Sequence, residues 1–430
     1  MTETPAAGLR GLPLERESPF APPAKLAQLR EERPLARMIY PDGHEGWLVT
    51  SYDLAKAVLG DLRFSNRNDL RHSPIPLPRA EAKASRTPPG LFSRMDPPDH
   101  TRYRRLLAPY FNVRRMRELE PRITEIVSRL LDRMAEQGPP VDLVEAFALP
   151  LPSRVICDLL GIPYEDHESF QRDSATLFDL TAEVGASSRA WGSLYDRLRR
   201  LVLTKRTAPA DDLLGYLTTC DLTDDEVTFM GITLLVAGHE TTANMLSLGV
   251  FTLLEHPDQL ARLRTDPTLA EHAVEELMRH QTIIHAGPTR AALEDVELAG
   301  EVIKAGQVVT VSLVAANRDA RRFPAPDTLD ISSAAAHGQL GFGFGIHQCT
   351  GQQLARLEMR IALGELFRRF PSLRLAQPVR EIRMRDDMSI YGVHRLPLTW
   401  DEDEEQTEAV RGRSASHGTT THGKRSGDRT

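Results

Sequence analysis

The chain has 430 residues, and its 53 basic and 60 acidic side chains give a formal net charge of −7, which favours neither nucleic acid nor an anionic membrane as a partner. Its three cysteines are far apart, which argues against a disulfide framework and against a cysteine-rich zinc site. We find no signal-peptide pattern, and the longest apolar run, Phe229 to Gly238, is too short to span a bilayer, so we expect a cytosolic protein.

The N-terminal part alternates short elements with loops. Residues 1–16 carry little pattern and are expected to be flexible. Trp47–Thr50 predicts a strand, and Asp53–Leu59 predicts a short helix that ends at Gly60. Residues 66–93 mix charge, proline and glycine without a period, and such a long irregular stretch is usually functional or disordered. A plain surface loop is the alternative.

A turn and a helix are predicted for residues 96–106, because two prolines precede Asp99, which is a good helix cap. His100 and Arg104 are four residues apart and therefore share one face of this helix. Two such groups on one face can hold a carboxylate through charge-assisted hydrogen bonds. A solvated basic face is the alternative.

Helical patterns dominate the middle of the chain. Periodicity predicts helices over Pro121–Met134 and Asp142–Leu160, and further helices with polar faces over residues 165–206, with a break near Gly185. Residues 221–256 give the longest helical pattern. Its middle is apolar almost all round, so this helix is expected to run through the core.

Polar residues interrupt that apolar helix. Thr223 and Glu226 form a capping-box pattern at its start. Residues 237–242 then read Ala-Gly-His-Glu-Thr-Thr, and buried polar groups such as Glu240 and Thr241 are costly unless they are satisfied or used. Threonine hydroxyls can bond back to the helix backbone and open a groove. A kink satisfied by water is the simpler interpretation, and it is compatible with the groove.

The chain after the long helix mixes ion pairs and strands. Glu276 and Arg279 are spaced to pair on one helix, where an isolated pair is usually a surface salt bridge of little weight. Val296–Val311 alternates and carries glycines, which predicts a hairpin-like β-region, and Arg383–Trp400 predicts another strand pair. Residues 401–430 are charged and poor in apolar groups, so they are expected to be disordered.

The most informative stretch is the loop Phe342–Arg356, in which glycines and two phenylalanines lead to Cys349 and then to a helical pattern. Glycine permits the backbone torsions of a tight turn against a flat ligand. Cys349 stands just before the helix begins, where free amides and the helix dipole favour a thiolate. A thiolate held in such a turn suits an axial ligand of haem iron. The alternative is a buried structural cysteine.

Four motifs together carry a family resemblance. Residues 342–351 read Phe-Gly-x-Gly-x-His-x-Cys-x-Gly, and residues 96–104 read Asp-Pro-Pro-x-His-x-x-x-Arg. Residues 237–242 read Ala-Gly-x-acid-Thr-Thr, and residues 276–279 read Glu-x-x-Arg. These motifs resemble those of the cytochrome P450 monooxygenases, and those around Glu240, Glu276 and Cys349 follow one another in the order expected for that family. The resemblance covers about residues 17–400.

The resemblance implies a mainly α fold with small β-sheets, in which a triangular prism of helices surrounds a buried haem. It implies a single domain over residues 17–400, between a flexible N-terminus and a disordered tail. The stretch Phe147–Ser153 resembles soluble actinobacterial members of the family. In the family, helices corresponding to residues 165–206 form a movable roof over the substrate. The stretches implied to line the substrate pocket are residues 66–93, 165–206, 283–288 and 389–392.

The resemblance also implies roles for individual residues. Cys349 would be the thiolate ligand of the haem iron. Thr241 would hold a proton relay, and Glu240 would supply protons from solvent. The other cofactor-binding residues implied are His100, Arg104, Arg290 and His347 at the haem propionates, and Ala237, Gly238, Phe342, Gly343 and Gly351 around the ring.

One position departs from the family pattern. An arginine from a later loop usually joins the buried Glu276–Arg279 pair, but Thr328 stands at the matching position. Either that contact is absent, or Arg321 or Arg322 replaces the missing arginine.

The implied activity is hydroxylation or epoxidation, with O2, of a bulky and largely apolar small molecule such as a polyketide or macrolide, a steroid, a terpenoid or a xenobiotic. No flavin or nicotinamide fingerprint is present, so two electrons are expected from a separate ferredoxin and its reductase. The enzyme is also expected to be a monomer. Two other functions stay open, a peroxide-driven enzyme and a haem-binding sensor, and the acid and threonine of the long helix argue against both. The candidates for a ferredoxin-docking face are Arg102, Arg105, Arg356 and Arg360, with ordinary exposed arginines as the alternative.

Overall fold

The computed structural model describes residues 9–77, 87–163 and 167–401. The predictions made above for four stretches lie outside these ranges: residues 1–8, 78–86, 164–166 and 402–430.

Helices make up most of the fold. Over the described residues there are thirteen α-helices: α1 (Ala24–Glu32), α2 (Tyr52–Gly60), α3 (Asp99–Leu107), α4 (Val113–Gln137), α5 (Pro150–Leu160), α6 (His167–Phe178), α7 (Ala186–Thr207), α8 (Leu213–Thr219), α9 (Asp224–Leu254), α10 (Pro257–Thr265), α11 (Ala270–Gln281), α12 (Leu313–Ala316) and α13 (Gln352–Arg369). None of these helices is both long enough and apolar enough to cross a membrane.

Short strands complete the described part of the chain. They are β1 (Leu9–Arg10), β2 (Leu35–Ile39), β3 (Glu45–Val49), β4 (Phe64–Ser65), β5 (Val141–Asp142), β6 (Thr289–Ala292), β7 (Val296–Leu298), β8 (Glu301–Ile303), β9 (Val308–Val311), β10 (Arg374–Leu375) and β11 (Pro397–Thr399). The largest sheet has the order β1-β2-β3-β9-β6-β4, a second sheet has the order β10-β11-β5, and β7 pairs with β8. Many helices with small sheets confirm the predicted fold class.

The first strand changes the expectation for the N-terminus. Leu9 and Arg10 pair in parallel with Met38 and Ile39 of β2, and Leu12 is buried. Backbone pairing and apolar burial hold this segment to the sheet. Residues 9–16 therefore belong to the folded domain and do not form a flexible arm.

Helix α9 is the longest element and lies in the core, as predicted. Its capping box is present: Oγ1 of Thr223 accepts from the backbone N–H of Glu226, and the Glu226 carboxylate accepts the N–H of Thr223 over 2.7 Å. The helix packs against α5, α7 and α13. Because most of its side chains are buried, polar groups within it need partners.

Helix α4 is longer than the sequence pattern predicted. It begins at Val113 instead of Pro121 because Asn112 caps it, the Asn112 side chain accepting the backbone N–H of Arg115 over 2.9 Å. A good cap upstream therefore outweighs the preference of proline for the first turn of a helix.

The predicted helix Asp142–Leu160 is divided into separate elements. Asp142 belongs to β5, Val144–Ala148 form a π-helical stretch, and α5 starts at Pro150. Proline has no N–H, so it can begin a regular helix but interrupts one that precedes it. Helix α5 then ends at Gly161, which has a left-handed conformation.

The predicted β-regions are divided too. Residues 296–311 contain the expected hairpin of β7 and β8, but β9 joins the large sheet. Residues 383–400 contain one strand, β11, preceded by an irregular loop that a bridge between Met384 and Val393 closes. We call residues 383–394 the C-terminal loop. The predicted break between the roof helices is confirmed at Gly185, which precedes α7 with a φ of +84°.

Candidate active site

The loop before α13 presents Cys349 in a tight turn. The backbone N–H of Cys349 donates to the carbonyl of Phe342 over 2.9 Å, and Gly343 and Gly345 have φ values of +75° and +73°. A Cβ on Gly345 would lie 2.4 Å from the carbonyl oxygen of Leu59. The turn therefore requires glycine, both for its left-handed backbone and for its close approach to α2.

The surroundings of Cys349 act on its thiol in opposite directions. Desolvation by the surrounding protein raises the pKa of Cys349 although its side chain is exposed, whereas a hydrogen bond from the backbone N–H of Gly351 and the charges of Arg104 and Arg356 lower it. The Arg356 guanidinium also lies over the ring of Phe342, 4.4 Å from its centroid. The donor and the two cations favour the thiolate, which is the form that binds iron.

Two imidazoles lie together, one in helix α3 and one in this loop. The ring centroids of His100 in α3 and of His347 are 4.2 Å apart. Burial, followed by the charge of Arg104, lowers the pKa of His100 to about 4. Burial, followed by the charge of Arg290, lowers the pKa of His347 to about 3. Nδ1 of His100 is buried and has no hydrogen-bond partner in the described part of the chain, so it is available to a ligand.

Arginines surround the two imidazoles. Burial lowers the pKa of Arg290 to about 10, and its Nη1 donates to Oδ1 of Asn66 over 2.9 Å. The charge of Arg71, followed by burial and by the charge of Arg290, lowers the pKa of Arg94. Among the described residues, none of Arg71, Arg94 and Arg290 forms an ion pair. Asp96 is the acid whose charge raises the pKa of Arg290, against the effect of burial. The cluster therefore carries excess positive charge.

Arg71 and Arg94 were missed by sequence reasoning. Arg94 stands two residues before Asp96, at the start of the motif that contains His100, and this position was the available signal. Arg71 lies in the irregular stretch 66–93, where no spacing marks it.

Arg104 binds the loop Phe342–Arg356 itself. Its Nη1 donates to the carbonyl of Gln348 over 2.9 Å and also to the hydroxyl of Thr350. These contacts fix the two residues on either side of Cys349. The predicted contact of Arg104 with a propionate stays a prediction.

One face of α9 carries the hydrogen bond that was predicted from Thr241 back to the helix backbone. Oγ1 of Thr241 donates to the carbonyl of Ala237 over 2.7 Å, and both residues are accessible although most of α9 is buried. Gly238 lies against α5, where a Cβ would be 3.0 Å from Cδ1 of Ile156. Close helix packing explains this glycine, and its contact with the haem ring stays a prediction.

Glu240 lies on a neighbouring face of α9. Its side chain is buried, and Oε2 accepts from Nδ2 of Asn244 and from Nη2 of Arg385, each over 3.2 Å. The same residues line a cavity of about 440 Å³ between α6, α9 and the C-terminal loop, and this cavity is partly open to solvent. Sequence reasoning missed Arg385 because it is 145 residues away from Glu240.

Glu276 and Arg279 form a buried ion pair on α11, as the resemblance implies. Arg279 also donates to the carbonyls of Pro326 and Thr328 over 2.7 and 3.2 Å. Oε1 of Glu276 accepts the backbone N–H of Asp330 over 2.9 Å. Backbone groups of residues 326–330 therefore supply the contacts that a third side chain was expected to make.

The two predicted replacements for the missing arginine are wrong. Arg321 forms an ion pair with Asp319, and Arg322 contacts the carbonyl of Ala335. Neither side chain reaches the pair on α11, because each is already held by its own neighbours. The backbone carbonyl of Thr328 takes part, although its side chain is not basic.

The four arginines suggested for docking differ in their surroundings. Arg105 is exposed, and it forms no ion pair with any described residue. The other three form ion pairs: Arg102 with Glu226, Arg356 with Glu275, and Arg360 with Glu120. Because Glu275 is buried in α11, the main role of Arg356 is to hold α13 against that helix.

The C-terminal loop is joined to the end of α6. The backbone N–H of Ser389 donates to the carbonyl of Phe178 over 2.8 Å, and that of Leu180 donates to the carbonyl of Asp387 over 3.0 Å. The predicted substrate-side tip, residues 389–392, is thus bonded directly to a roof helix.

Known proteins with similar sequences share these features. A family model described as Cytochrome P450 matches residues 195–397. Cytochrome P450 105C1 of a Streptomyces species is 49% identical over 387 residues, which cover 90% of this chain and 97% of the relative. The chain belongs to the cytochrome P450 family. Pentalenic acid synthase of Streptomyces avermitilis is 47% identical to this P450 over 393 residues, covering 90% of the chain and 96% of the relative.

A solved structure shows the same fold. Mycinamicin VIII C21 methyl hydroxylase from Micromonospora griseorubida, bound to mycinamicin VIII, superposes on this P450 with a TM-score of 0.84 at 38% identity. The match covers 91% of this P450 and 100% of that chain. The resemblance to actinobacterial P450 monooxygenases is therefore confirmed, and with it the haem cofactor of the family.

The residues of this P450 fit a haem. Cys349 would supply a soft thiolate ligand, the ligand type that distinguishes P450 haem iron. The unpartnered Nδ1 of His100 and the excess cations beside it suit two carboxylates. Like charges close together are unfavourable without a counter-ion, so propionates would relieve the repulsion of Arg94 by Arg71 and Arg290.

Proposed function

We propose that this P450 hydroxylates or epoxidises a bulky, largely apolar small molecule, using O2 and two electrons from a ferredoxin. The observation that carries the proposal is a cysteine held in a glycine turn together with an acid and a threonine on α9, which are the groups that iron binding and proton supply require. Two relatives described above support the substrate class, since one is named pentalenic acid synthase and the other is a hydroxylase bound to mycinamicin VIII.

Two sets of residues would hold the haem. Cys349 would bind the iron through its sulfur, and His100, His347 and Arg290 would bind the propionates. When bound, the haem supplies activation of O2 and insertion of one oxygen atom into the substrate. Residues proposed to contact or approach the ring and propionates are Arg71, Arg94, Arg104, Ala237, Gly238, Phe342, Gly343 and Gly351.

The protein's own chemical task is to supply protons. The Thr241 hydroxyl donates to Ala237, so its oxygen can still accept a hydrogen bond on its accessible side. Glu240 is the residue before Thr241, and its carboxylate lines a cavity partly open to solvent. The acid can therefore exchange protons with water and pass them toward the groove that carries Thr241.

Electrons are proposed to come from an acidic ferredoxin. Arg105 offers an exposed positive charge on α3, the helix whose Arg104 holds the loop around Cys349. Complementary charge raises the rate of encounter between such partners. The other three candidate arginines are ion-paired and contribute less positive field.

Two other functions remain as alternatives within the same fold. A peroxide-driven enzyme receives electrons and protons from peroxide itself, so it needs no acid and threonine on α9. A haem-binding sensor needs no proton supply either. The buried acid, which costs free energy to keep, favours the oxygen-driven reaction over both.

Carbon monoxide tests the proposed iron ligand. The reduced haem protein is expected to show a Soret band at the position typical of thiolate coordination. Cys349→Ser is expected to lose this band, whereas Cys220→Ser, which changes a cysteine of the α8–α9 connection, is expected to retain it. A wild-type protein without the band, or one that binds no haem, would contradict the assignment.

A binding and turnover panel tests the substrate class. Mycinamicin VIII, other macrolides, steroids and terpenoids are added in turn, and displacement of water from the iron is followed by absorbance. Compounds that bind are incubated with NADPH, ferredoxin and its reductase under isotopically labelled O2. The expected product carries one labelled oxygen atom. Product formation with hydrogen peroxide but not with ferredoxin would favour the peroxide-driven alternative.

We further propose that the enzyme is a monomer in the reducing cytoplasm. No disulfide joins its three cysteines, Cys157, Cys220 and Cys349, which suits that compartment. Light scattering after size-exclusion chromatography checks the monomer, because a dimer would double the measured mass.

A further inference from the structure

Arg385 joins the proposed acid to a distant part of the chain. Its Nη2 lies 3.2 Å from Oε2 of Glu240, and the two side chains are only 11% and 4% exposed. Nε of Arg385 is buried and finds no hydrogen-bond partner among the described residues. A buried guanidinium with an unused donor is poorly explained by stability alone, because the unpaired N–H costs free energy.

Glu240 is also held by its own helix. Asn244, one turn further along α9, donates to the same Oε2 over 3.2 Å. Gly392 of the C-terminal loop packs so closely on this amide that a Cβ would lie 2.3 Å from Oδ1 of Asn244. The carboxylate, the amide and Arg385 therefore interlock α9 with the C-terminal loop.

The interlocked groups form the inner wall of the cavity of about 440 Å³. Its outer wall carries Glu168, Gln171 and Arg172 of α6, and His394 lines it from the C-terminal loop. Since a water molecule occupies about 30 Å³ in the liquid, the cavity can hold several waters, and its polar lining offers them partners. Glu240 thus lies at the inner end of a water-accessible cavity, with Arg385 beside it.

The C-terminal loop links this site to α6. The backbone N–H of Arg385 donates to the carbonyl of Gly392 over 2.9 Å, so the two ends of the loop are tied together. The loop is bonded in turn to Phe178 and Leu180 at the end of α6. Backbone hydrogen bonds therefore connect that end of the predicted roof to the loop that carries Arg385.

We propose that Arg385 is a positioning residue that couples the position of α6 over the substrate to proton supply through Glu240. With α6 in place, Arg385 holds the carboxylate at the inner end of the cavity, where a proton taken from water can be passed on toward Thr241. When the end of α6 moves, the loop moves with it and the carboxylate loses this orientation. The inference rests on the proposed role of Glu240 as the acid.

Four variants of one loop separate positioning from general destabilisation. Arg385→Gln removes the charge but retains a polar side chain, and Arg385→Lys restores a cation. Arg383→Gln is the matched control, because Arg383 is an exposed arginine of the same loop that pairs with Asp387. Ser389→Pro removes the N–H that donates to Phe178 and so weakens the link to α6 without changing Glu240 or its partners.

The measured quantity is NADPH-driven oxygen consumption with ferredoxin and its reductase, in ordinary and in heavy water. Reduction of oxygen to peroxide, to water or to the hydroxylated product and water consumes protons, so molecular oxygen is the probe. Arg385→Gln is expected to consume oxygen about tenfold more slowly, less than the 10²–10⁴-fold typical of losing an acid, with a larger solvent isotope effect. Arg385→Lys should recover most of the rate, and Ser389→Pro should also raise the isotope effect.

The carbon monoxide band and the rate of haem reduction are measured on every variant, and they should not change, because neither depends on protons from Glu240. Arg383→Gln should behave as the wild type.

Wild-type rates and isotope effects in Arg385→Gln would overturn the positioning role. An unchanged isotope effect in Ser389→Pro would overturn the coupling to α6. A wild-type protein that consumes no oxygen with ferredoxin is a separate result, which contradicts the proposed function and removes the basis of this inference.

Discussion

Arg279 binds both carboxylate oxygens of Glu276, each over 2.7 Å, and the two side chains are 4% and 1% exposed. The three-residue spacing alone predicted a weak surface ion pair. Because the pair is buried, removing one partner costs more free energy of unfolding than it would at the surface. The same two side chains also bind backbone groups of residues 326–330. They therefore hold against α11 the segment that leads to the loop Phe342–Arg356. A charge left alone at this depth would be strongly unfavourable.

Arg279→Ala is therefore expected to lower the free energy of unfolding by about 3–5 kcal/mol, because it leaves the buried Glu276 carboxylate without its partner. Denaturant unfolding measures the change. The control is Arg368→Ala, which breaks an exposed pair with Glu365 at the same three-residue spacing and should cost about 0–1 kcal/mol. Equal losses in the two variants would show that burial of the first pair is unimportant.

Thr241→Ala is expected to keep consuming oxygen while its product yield falls by about 10²-fold and peroxide release rises, since the hydroxyl that directs protons is gone. Product and peroxide are quantified per NADPH oxidised. Thr233→Ala is a matched control, because Thr233 makes the same bond to a backbone carbonyl, that of Phe229, in the same helix over 2.7 Å. The proton relay is excluded by a Thr241→Ala enzyme with an unaltered product yield.

Arg105→Glu is expected to slow reduction by ferredoxin about tenfold at low ionic strength, because it reverses an exposed charge that no described acid neutralises. The difference should fade as salt screens the charge. Stopped-flow reduction measures the rate, and substrate binding should stay constant. Arg189→Glu reverses an exposed charge on α7 and serves as the comparison. Equal slowing by both variants would indicate a general charge effect and no docking site on α3.

His285 makes stability depend on pH. Burial lowers its pKa to about 4, and its Nε2 lies 2.9 Å from the carbonyl oxygen of Met388. In the unfolded chain the pKa is about 6.5, so between these values the unfolded state binds more protons. The free energy of unfolding should therefore fall as the pH drops from about 6.5 to about 4, with up to about 3 kcal/mol from this residue.

His285→Gln should flatten that part of the stability profile, as measured by denaturant unfolding at a series of pH values. His337→Gln changes an exposed histidine and should leave the slope as it is in the wild type. A His285→Gln profile parallel to that of the wild type would mean that the buried imidazole does not set the slope.

Several local features of the backbone could be predicted from the sequence because they depend on residues that are close together in it. The turn around Cys349 requires glycine at positions that lie within a few residues of the sulfur, and the capping box joins Thr223 to a residue three positions on. The back-bond of Thr241 also spans one helical turn. Such requirements belong to the local backbone, so residue order alone expresses them.

Other features arise from packing between segments far apart in sequence. Arg385 meets Glu240 across 145 residues, and Arg71 approaches Arg94 through a loop without regular spacing. Of the four arginines suggested for docking, three are ion-paired with acids on other elements. The partner and the burial of a charge depend on which surfaces come together, and burial is what separates a weak pair from a strong one. The spacing of residues along the chain predicts neither the partner of a charged side chain nor its burial.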